Sequence, residues 1–337
     1  MKKASIIAIA TAATFMAGAA SAATLDDVKA KGFIQCGITT GLAGFAAPND
    51  KGVWEGFDVD FCRAMSAAIF GDASKLKYTP TTAKERFTAL QSGEIDVLAR
   101  NTTWTLSRDV KLGFEFVGVN YYDGQGFMVK KSLGVSSAKE LDGARVCLQS
   151  GTTTELNLAD YFAAQGMKFD SVLFDTADEV REAYLKDTCD VYTTDQSGLY
   201  AQRSVTPNPD NHVVLPEVIS KEPLGPLVRH GDNAWGDIAR WTLNALIIAE
   251  ELGITSANVD EMTGSKNPEI QRLLGQSGDL GEQLGLDPKW AYNAIKMVGN
   301  YGEIFETHLG QDTPLKISRG LNQLWSKGGI LYAPPAR

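Results

Sequence analysis

Two hydrophobic periods alternate along this chain. Phe33-Ile34-Gln35-Cys36-Gly37-Ile38 repeats every second residue and predicts a strand with Ile34, Cys36 and Ile38 on one face. A loop rich in Gly and Ala, Thr39 to Ala47, separates it from Gly56-Phe57-Asp58-Val59-Asp60. There the period changes to that of a helix running through about Phe70, with Cys62, Met65 and Ile69 on the face turned to the first strand. A second helix, Ala83 to Ser92, carries Phe87 and Leu90 and stops at Gly93. Ile95-Asp96-Val97-Leu98 is the next strand and opens into the polar stretch Arg100 to Arg108. This order predicts a parallel α/β sheet with ligand loops at the carboxyl ends of its strands.

The pattern then restarts. Arg145-Val146-Cys147-Leu148 predicts a strand, Ser150-Gly151-Thr152-Thr153-Thr154 a turn, and Glu155 to Gln165 a helix. Val172 to Phe174 is a strand, Asp178 to Lys186 a helix, and Asp190-Val191-Tyr192 a strand ending in Thr194-Asp195. Two lobes of similar construction therefore follow each other. The last third predicts helices over Trp235 to Leu252, Pro268 to Leu274 (with Asn267 as cap), Lys289 to Phe305 and Leu315 to Trp325.

The N-terminus changes the picture of where these lobes work. Lys2 and Lys3 precede a short apolar run, Ile6 to Ala17, and Ala20-Ser21-Ala22 matches the small-x-small pattern of a signal-peptidase site. The run is too short to stay as a spanning helix, and no Cys follows the site to take a lipid anchor. Removing 22 of the 337 residues leaves 315, more than one core usually organises, so two lobes are expected on length as well. Removal of Lys2 and Lys3 lowers the formal net charge of -9 by two, to -11. So acidic a chain does not suit nucleic acid, whose phosphates demand basic patches.

Cys36, Cys62, Cys147 and Cys189 fit an oxidising compartment. They are far apart, with no C-x-x-C pair, and His212, His230 and His308 are scattered, so no metal site is expected. Three connectivities are open, along with four buried thiols. Cys36–Cys62 with Cys147–Cys189 is favoured, because each bond then joins two elements of one lobe.

Four segments, in order, carry a family resemblance: Gly56-Phe57-Asp58-Val59-Asp60, Asn101-Thr102-Thr103 with Arg108, Gly151-Thr152-Thr153, and Asp195. The mature chain resembles the polar-amino-acid-binding family of periplasmic solute-binding proteins. Cys36 to Asp60, Tyr121-Tyr122-Asp123-Gly124-Gln125-Gly126-Phe127 and the long C-terminal extension look like its general L-amino-acid-binding subgroup. The resemblance implies an α/β, bilobal periplasmic-binding-protein (Venus-flytrap) fold with a helical C-terminal extension. Residues 23–122 and 224–337 would form one lobe and 128–216 the other, after a signal peptide at 1–22, with hinge segments at 123–127 and 217–223. It also implies a periplasmic monomer that closes on a free L-amino acid and docks transiently with ABC permease subunits, without a cofactor. A specific acidic amino-acid binder is the alternative. A prephenate- or arogenate-type dehydratase on the same fold would need a positioned acid that no motif here identifies.

The chemistry of such a site can be stated from the residues. A free amino acid places a carboxylate and an ammonium about one carbon apart, and a site that excludes water must pair both. Arg108 can clamp the carboxylate with two parallel N–H donors. Thr103 offers a hydroxyl beside it, and Thr152 and Thr153, at a helix start, offer backbone N–H groups. Asp195 can accept from the ammonium, while Asn101, Phe45, Leu42 and Arg100 border the rest. Each has a plainer alternative. Arg108 can pair with its neighbour Asp109, Asp195 can cap the next helix, and Thr152 with Glu155 can form a capping box. Phe45, Trp104 and Tyr122 can be packing, and Arg100 a charged strand end. The small residues of Gly41-Leu42-Ala43-Gly44-Phe45 stand where selective relatives often carry an aromatic lid, consistent with a permissive pocket.

Overall fold

The computed structural model describes residues 24–337, so the expected signal segment lies outside the described residues. Two five-stranded sheets organise the chain. In the first, Ile34–Thr39 lies between Leu76–Thr81 and Val97–Leu98, parallel to both. Leu227–Arg229 then runs antiparallel between Val97–Leu98 and Phe114–Phe116. The second sheet repeats the plan. Ala144–Gln149 lies between Phe169–Phe174 and Val191–Asp195, parallel to both, and Gln125–Lys130 runs antiparallel between Val191–Asp195 and His212–Val214.

Each sheet thus takes its antiparallel strand from just beyond a crossing of the chain. The two crossing segments pair with one another, Tyr121–Asp123 antiparallel to Glu222–Leu224. This short ribbon joins two lobes, and the strand ends that carry the candidate residues face each other beside it.

Local chemistry explains most element boundaries. The helix Phe57–Phe70 ends on Gly71 with φ 65°, and Arg86–Ser92 ends on Gly93 with φ 81°. Gly56 is obligatory: its φ is 134°, and a Cβ there would stand 2.3 Å from the Phe45 carbonyl oxygen. Thr176 and Glu179 close a reciprocal capping box on Ala177–Leu185, and Asn267 caps Pro268–Leu273. Cys36 is bonded to Cys62 and Cys147 to Cys189, each within one lobe.

The cores are unequal. The first lobe and the C-terminal third share one large core around Ile34, Met65, Trp235, Ile247, Trp290 and Phe305. The second lobe has a smaller cluster on each face of its sheet, around Phe127 and Phe162 on one side and Tyr184 and Tyr192 on the other.

Two C-terminal expectations are corrected. The stretch expected as one helix from Lys289 to Phe305 is two, Trp290–Val298 and Tyr301–His308. Gly299 turns the chain at φ 100°, and Asn300 with Glu303 forms a new capping box that restarts the helix. Leu315 to Trp325 is not a helix. Its apolar spacing suits one, but Lys316 takes φ 53° and the segment is held open by side chains. Arg319 grips the Glu250 carboxylate with both terminal nitrogens, at 3.2 and 3.0 Å, and donates through Nε to the Asn322 carbonyl. Asn322 in turn bonds the Tyr122 backbone N–H and C=O, at 2.7 and 3.0 Å, tying the C-terminal segment to the crossing ribbon.

Candidate ligand-binding site

Arg108 lies in a short π-helical turn, Ser107–Lys111, that follows the polar loop after Val97–Leu98. Its guanidinium turns back into the first lobe, where Nη1 donates to the Thr103 carbonyl at 2.8 Å and the group lies 5.2 Å over the Phe87 ring. The alternative pairing with Asp109 does not occur. Asp109 instead accepts from the Trp104 indole N–H at 2.7 Å and lies 3.7 Å from His230. Trp104 stacks on Phe116, which makes it a packing residue.

Two more guanidiniums are buried on the same wall. Arg100 donates from Nε to the Thr81 carbonyl at 3.0 Å, and Arg86 donates from Nη1 to the Thr102 hydroxyl at 3.2 Å. Arg86, Arg100 and Arg108 are only 3, 4 and 7% exposed, so the wall holds three cations out of water. Burial pushes all three guanidiniums down, Arg100 to about 10, which leaves it charged at neutral pH. Among the described residues, none of the three is in a salt bridge. The Arg86 Nε–H has no hydrogen-bond partner there either.

Asn101 adds a strained acceptor to this wall. Its φ of 30° is one that few non-glycine residues adopt, and it is held by its N–H donating to Asp58 at 2.9 Å. The Asn101 side-chain carbonyl is buried and unpartnered among the described residues. Burial raises Asp58 to about 6, against the hydrogen bonds from Asn101 and Asn120 and the charge of Arg100.

The facing wall is anionic. Asp195 ends the strand Val191–Asp195 at the N-cap position of Gln196–Ser204, yet its side chain does not cap that helix. It is 7% exposed, and among the described residues no group donates a hydrogen bond to its carboxylate. Burial pushes Asp195 well above the usual carboxylate range, and the charges of Asp123 and Glu222 push the same way against Arg108 and Arg86. Asp123, on the crossing ribbon, is likewise raised to about 6 by burial, although the Gly124 and Ser197 N–H groups donate to it.

Thr153 precedes the helix Thr154–Gln165, and its hydroxyl lies 3.5 Å from that of Thr103 across the gap between the lobes. Lys84 and Asp175 also meet across the rim at 2.7 Å. Gly151, at φ 76°, lets the second lobe come close, since a Cβ there would stand 3.0 Å from Cγ of Lys84. The walls are therefore in contact. The Thr152–Glu155 capping box is absent. Thr152 donates to the Gln149 carbonyl, and Glu155 accepts from the Gly151 N–H, because the turn tightens one residue further along.

Arg108, Thr103, Asn101, Arg100, Thr153 and Asp195 are thus brought to one cleft. Phe45 and Leu42 are placed differently. The Phe45 ring is 1% exposed and packs edge-on against Phe57 and Tyr121 in the core of the first lobe, with Leu42 in the same core. Tyr122 lies on the crossing ribbon. Sequence reasoning missed Arg86, Asp123 and Glu222. Glu222 falls within the expected hinge segment 217–223 and Arg86 within the expected helix Ala83 to Ser92, where neither carries a local signal of a binding role.

This arrangement fits a known family. The model of the bacterial extracellular solute-binding proteins, family 3, matches residues 34–257. The chain belongs to this family. The family and the relatives named below are solute-binding proteins, not enzymes. The chain is 66% identical over 323 residues to the general L-amino acid-binding periplasmic protein AapJ of Rhizobium johnstonii, covering 95% of each. It is 57% identical over 338 residues to the glutamate/glutamine/aspartate/asparagine-binding protein BztA of Rhodobacter capsulatus, covering 100% of each. A solved ABC transporter periplasmic binding protein from Brucella ovis, with glutathione bound, is 60% identical with a TM-score of 0.92, covering 94% of this chain and 100% of that one. Membership accounts for the two similar sheets, the crossing ribbon and a cleft whose polar groups converge from both lobes.

Proposed function

We propose that this protein captures free L-amino acids of many kinds in the periplasm, closes on them, and delivers them as a monomer to the permease of an ABC importer in the inner membrane. Residues 1–22 would direct its export, and the segments 123–127 and 217–223 would act as hinges between lobes 23–122 with 224–337 and 128–216.

One observation carries this reading. Among the described residues, the buried Arg108 guanidinium has no anion bonded to it and the buried Asp195 carboxyl has no hydrogen-bond donor, on opposite walls of one cleft. Both are costly until paired, and a zwitterion pairs both at once. In this reading Arg108 takes the α-carboxylate, assisted by the backbone N–H groups at Thr103, Thr152 and Thr153, and Asp195 takes the α-ammonium. These are the groups every amino acid shares, which suits breadth. The name of AapJ, general L-amino acid binding, supports the same class.

A second reading is a preference for acidic and amide side chains. Among the described residues Arg86 and Arg100 each bond one protein acceptor, leaving donors for a second carboxylate or a carbonyl, and the name of BztA points the same way.

Titration calorimetry of Arg108→Ala and Asp195→Ala against alanine, leucine, glutamine and glutamate tests the proposal. Each variant should stay folded and lose about 2–5 kcal/mol for every ligand, with the order of preference kept. Near-normal affinity in both folded variants puts the site elsewhere.

A further inference from the structure

Glu222 stands on the crossing ribbon at the floor of the cleft and is 1% exposed. A carboxylate so buried needs its lone pairs filled, and here they are. Oε2 accepts from the Thr103 hydroxyl at 2.5 Å and the Thr153 hydroxyl at 3.1 Å. Oε1 accepts from the Asn157 amide at 2.6 Å and the Ser220 hydroxyl at 2.8 Å.

These donors belong to different bodies. The Glu222 strand is fastened to the first lobe: the Trp104 N–H donates to the Pro223 carbonyl at 2.8 Å and the Gly225 N–H to the Thr102 carbonyl at 3.0 Å. Thr103 lies on that lobe as well. Thr153 and Asn157 lie at the start of the second lobe's helix Thr154–Gln165. The bonds from Thr153 and Asn157 to Glu222 therefore cross the gap between the lobes, and opening the cleft breaks them.

We infer that Glu222 is a positioning residue, a built-in tether that draws the two walls together before ligand arrives and holds Thr103 and Thr153 side by side for it. Ligand binding then meets a population already biased toward the closed form, and the apparent affinity rises by that bias. The tether also explains why the chain keeps a third carboxylate beside Asp123 and Asp195, at the cost of raising Asp195. This inference rests on the cleft being the ligand site.

The experiment compares Glu222→Ala and Asn157→Ala with the unmodified chain. Spin labels at Val53 and Leu173, both exposed and one on each lobe, report the lobe separation. Without ligand, the unmodified chain should show a short-distance population that falls in Glu222→Ala and falls less in Asn157→Ala. Glutamine affinity should drop roughly tenfold in Glu222→Ala, through faster dissociation. The double variant should be no weaker than Glu222→Ala, because both changes cut one bridge. If Glu222→Ala fails to fold, Asn157→Ala and Glu222→Gln carry the same reading. Unchanged distances and affinity overturn the tether. So does tighter binding, which would make Glu222 a competitor for the ligand's place. Loss of binding in Arg108→Ala, with none of these changes, refutes the tether while leaving the site intact.

Discussion

The two lobes share a strand order and differ in charge. In both, a central strand lies between two parallel neighbours, and an antiparallel strand from beyond the crossing completes the sheet. Yet the first lobe buries Arg86, Arg100 and Arg108 beside its strand ends, while the second lobe buries Asp195 and the ribbon carries buried Glu222 and half-buried Asp123. A fold of this kind brings loops together at the carboxyl ends of its strands without specifying their chemistry. Here that freedom sets three buried guanidiniums of the first lobe across the cleft from Asp195 of the second, with Asp123 and Glu222 on the ribbon between them. Arg108 has no anion bonded to it and Asp195 no hydrogen-bond donor among the described residues, so in the proposed reading a molecule carrying both signs completes the closed cleft.

The lobes also differ in how they are held together. The first has the large core that the C-terminal third extends, and the second has two small clusters with Cys147 and Cys189 in one of them. The sequence separations of the disulfides are 26 and 42 residues, so chain entropy assigns each about 3–4 kcal/mol. That loss should matter more where the core is smaller. Replacing Cys147 and Cys189 together by Ala should split denaturant unfolding into two transitions, the second lobe melting first. Replacing Cys36 and Cys62 should lower the midpoint of a transition that stays single. The same loss and the same curve shape in both variants would remove the stability half of the comparison.

A smaller effect follows from the anionic wall. Burial and the charges of Asp123 and Glu222 raise Asp195, and an ammonium beside it favours the ionised form. Any proton Asp195 holds should therefore be released on binding, and affinity should fall as pH drops. Calorimetry at one pH in buffers of different ionisation enthalpy measures the release directly, and proton uptake would reverse the assignment of walls. Stability runs the other way. Asp58 and Asp123 rise from 3.8 to about 6, so the ligand-free fold holds these protons more tightly than the unfolded chain does. Their contribution is complete below 3.8, shrinks through that window as pH rises, and is gone above it.

Much of this was legible in the sequence, for reasons that differ by residue. Strand and helix periods located Ile34–Thr39 and Val97–Leu98 of one sheet and Ala144–Gln149, Phe169–Phe174 and Val191–Asp195 of the other, but not Leu76–Thr81 or the antiparallel strands. Arg108, Thr103 and Asp195 stood in an ordered set of motifs. Arg86 and Glu222 did not, since their partners are Thr102, Thr103 and Thr153, which only the folded chain brings near. Phe45 was open between pocket and core, and Gly56 decides it by letting the Phe45 backbone pack against the next helix. At Leu315 to Trp325 the apolar spacing misled, because Arg319 and Asn322 spend their side chains on Glu250 and Tyr122 across the fold.

The central claim is that closure requires both charges of the ligand on one molecule. Small-angle scattering of the unmodified protein is the direct measurement, with saturating leucine, then the amine left by its decarboxylation, then the keto acid left by its deamination. The account predicts that leucine lowers the radius of gyration and that amine and keto acid, at the same concentrations, leave it near the ligand-free value. Equal compaction by either single-charge analogue, or none by any amino acid, would contradict it.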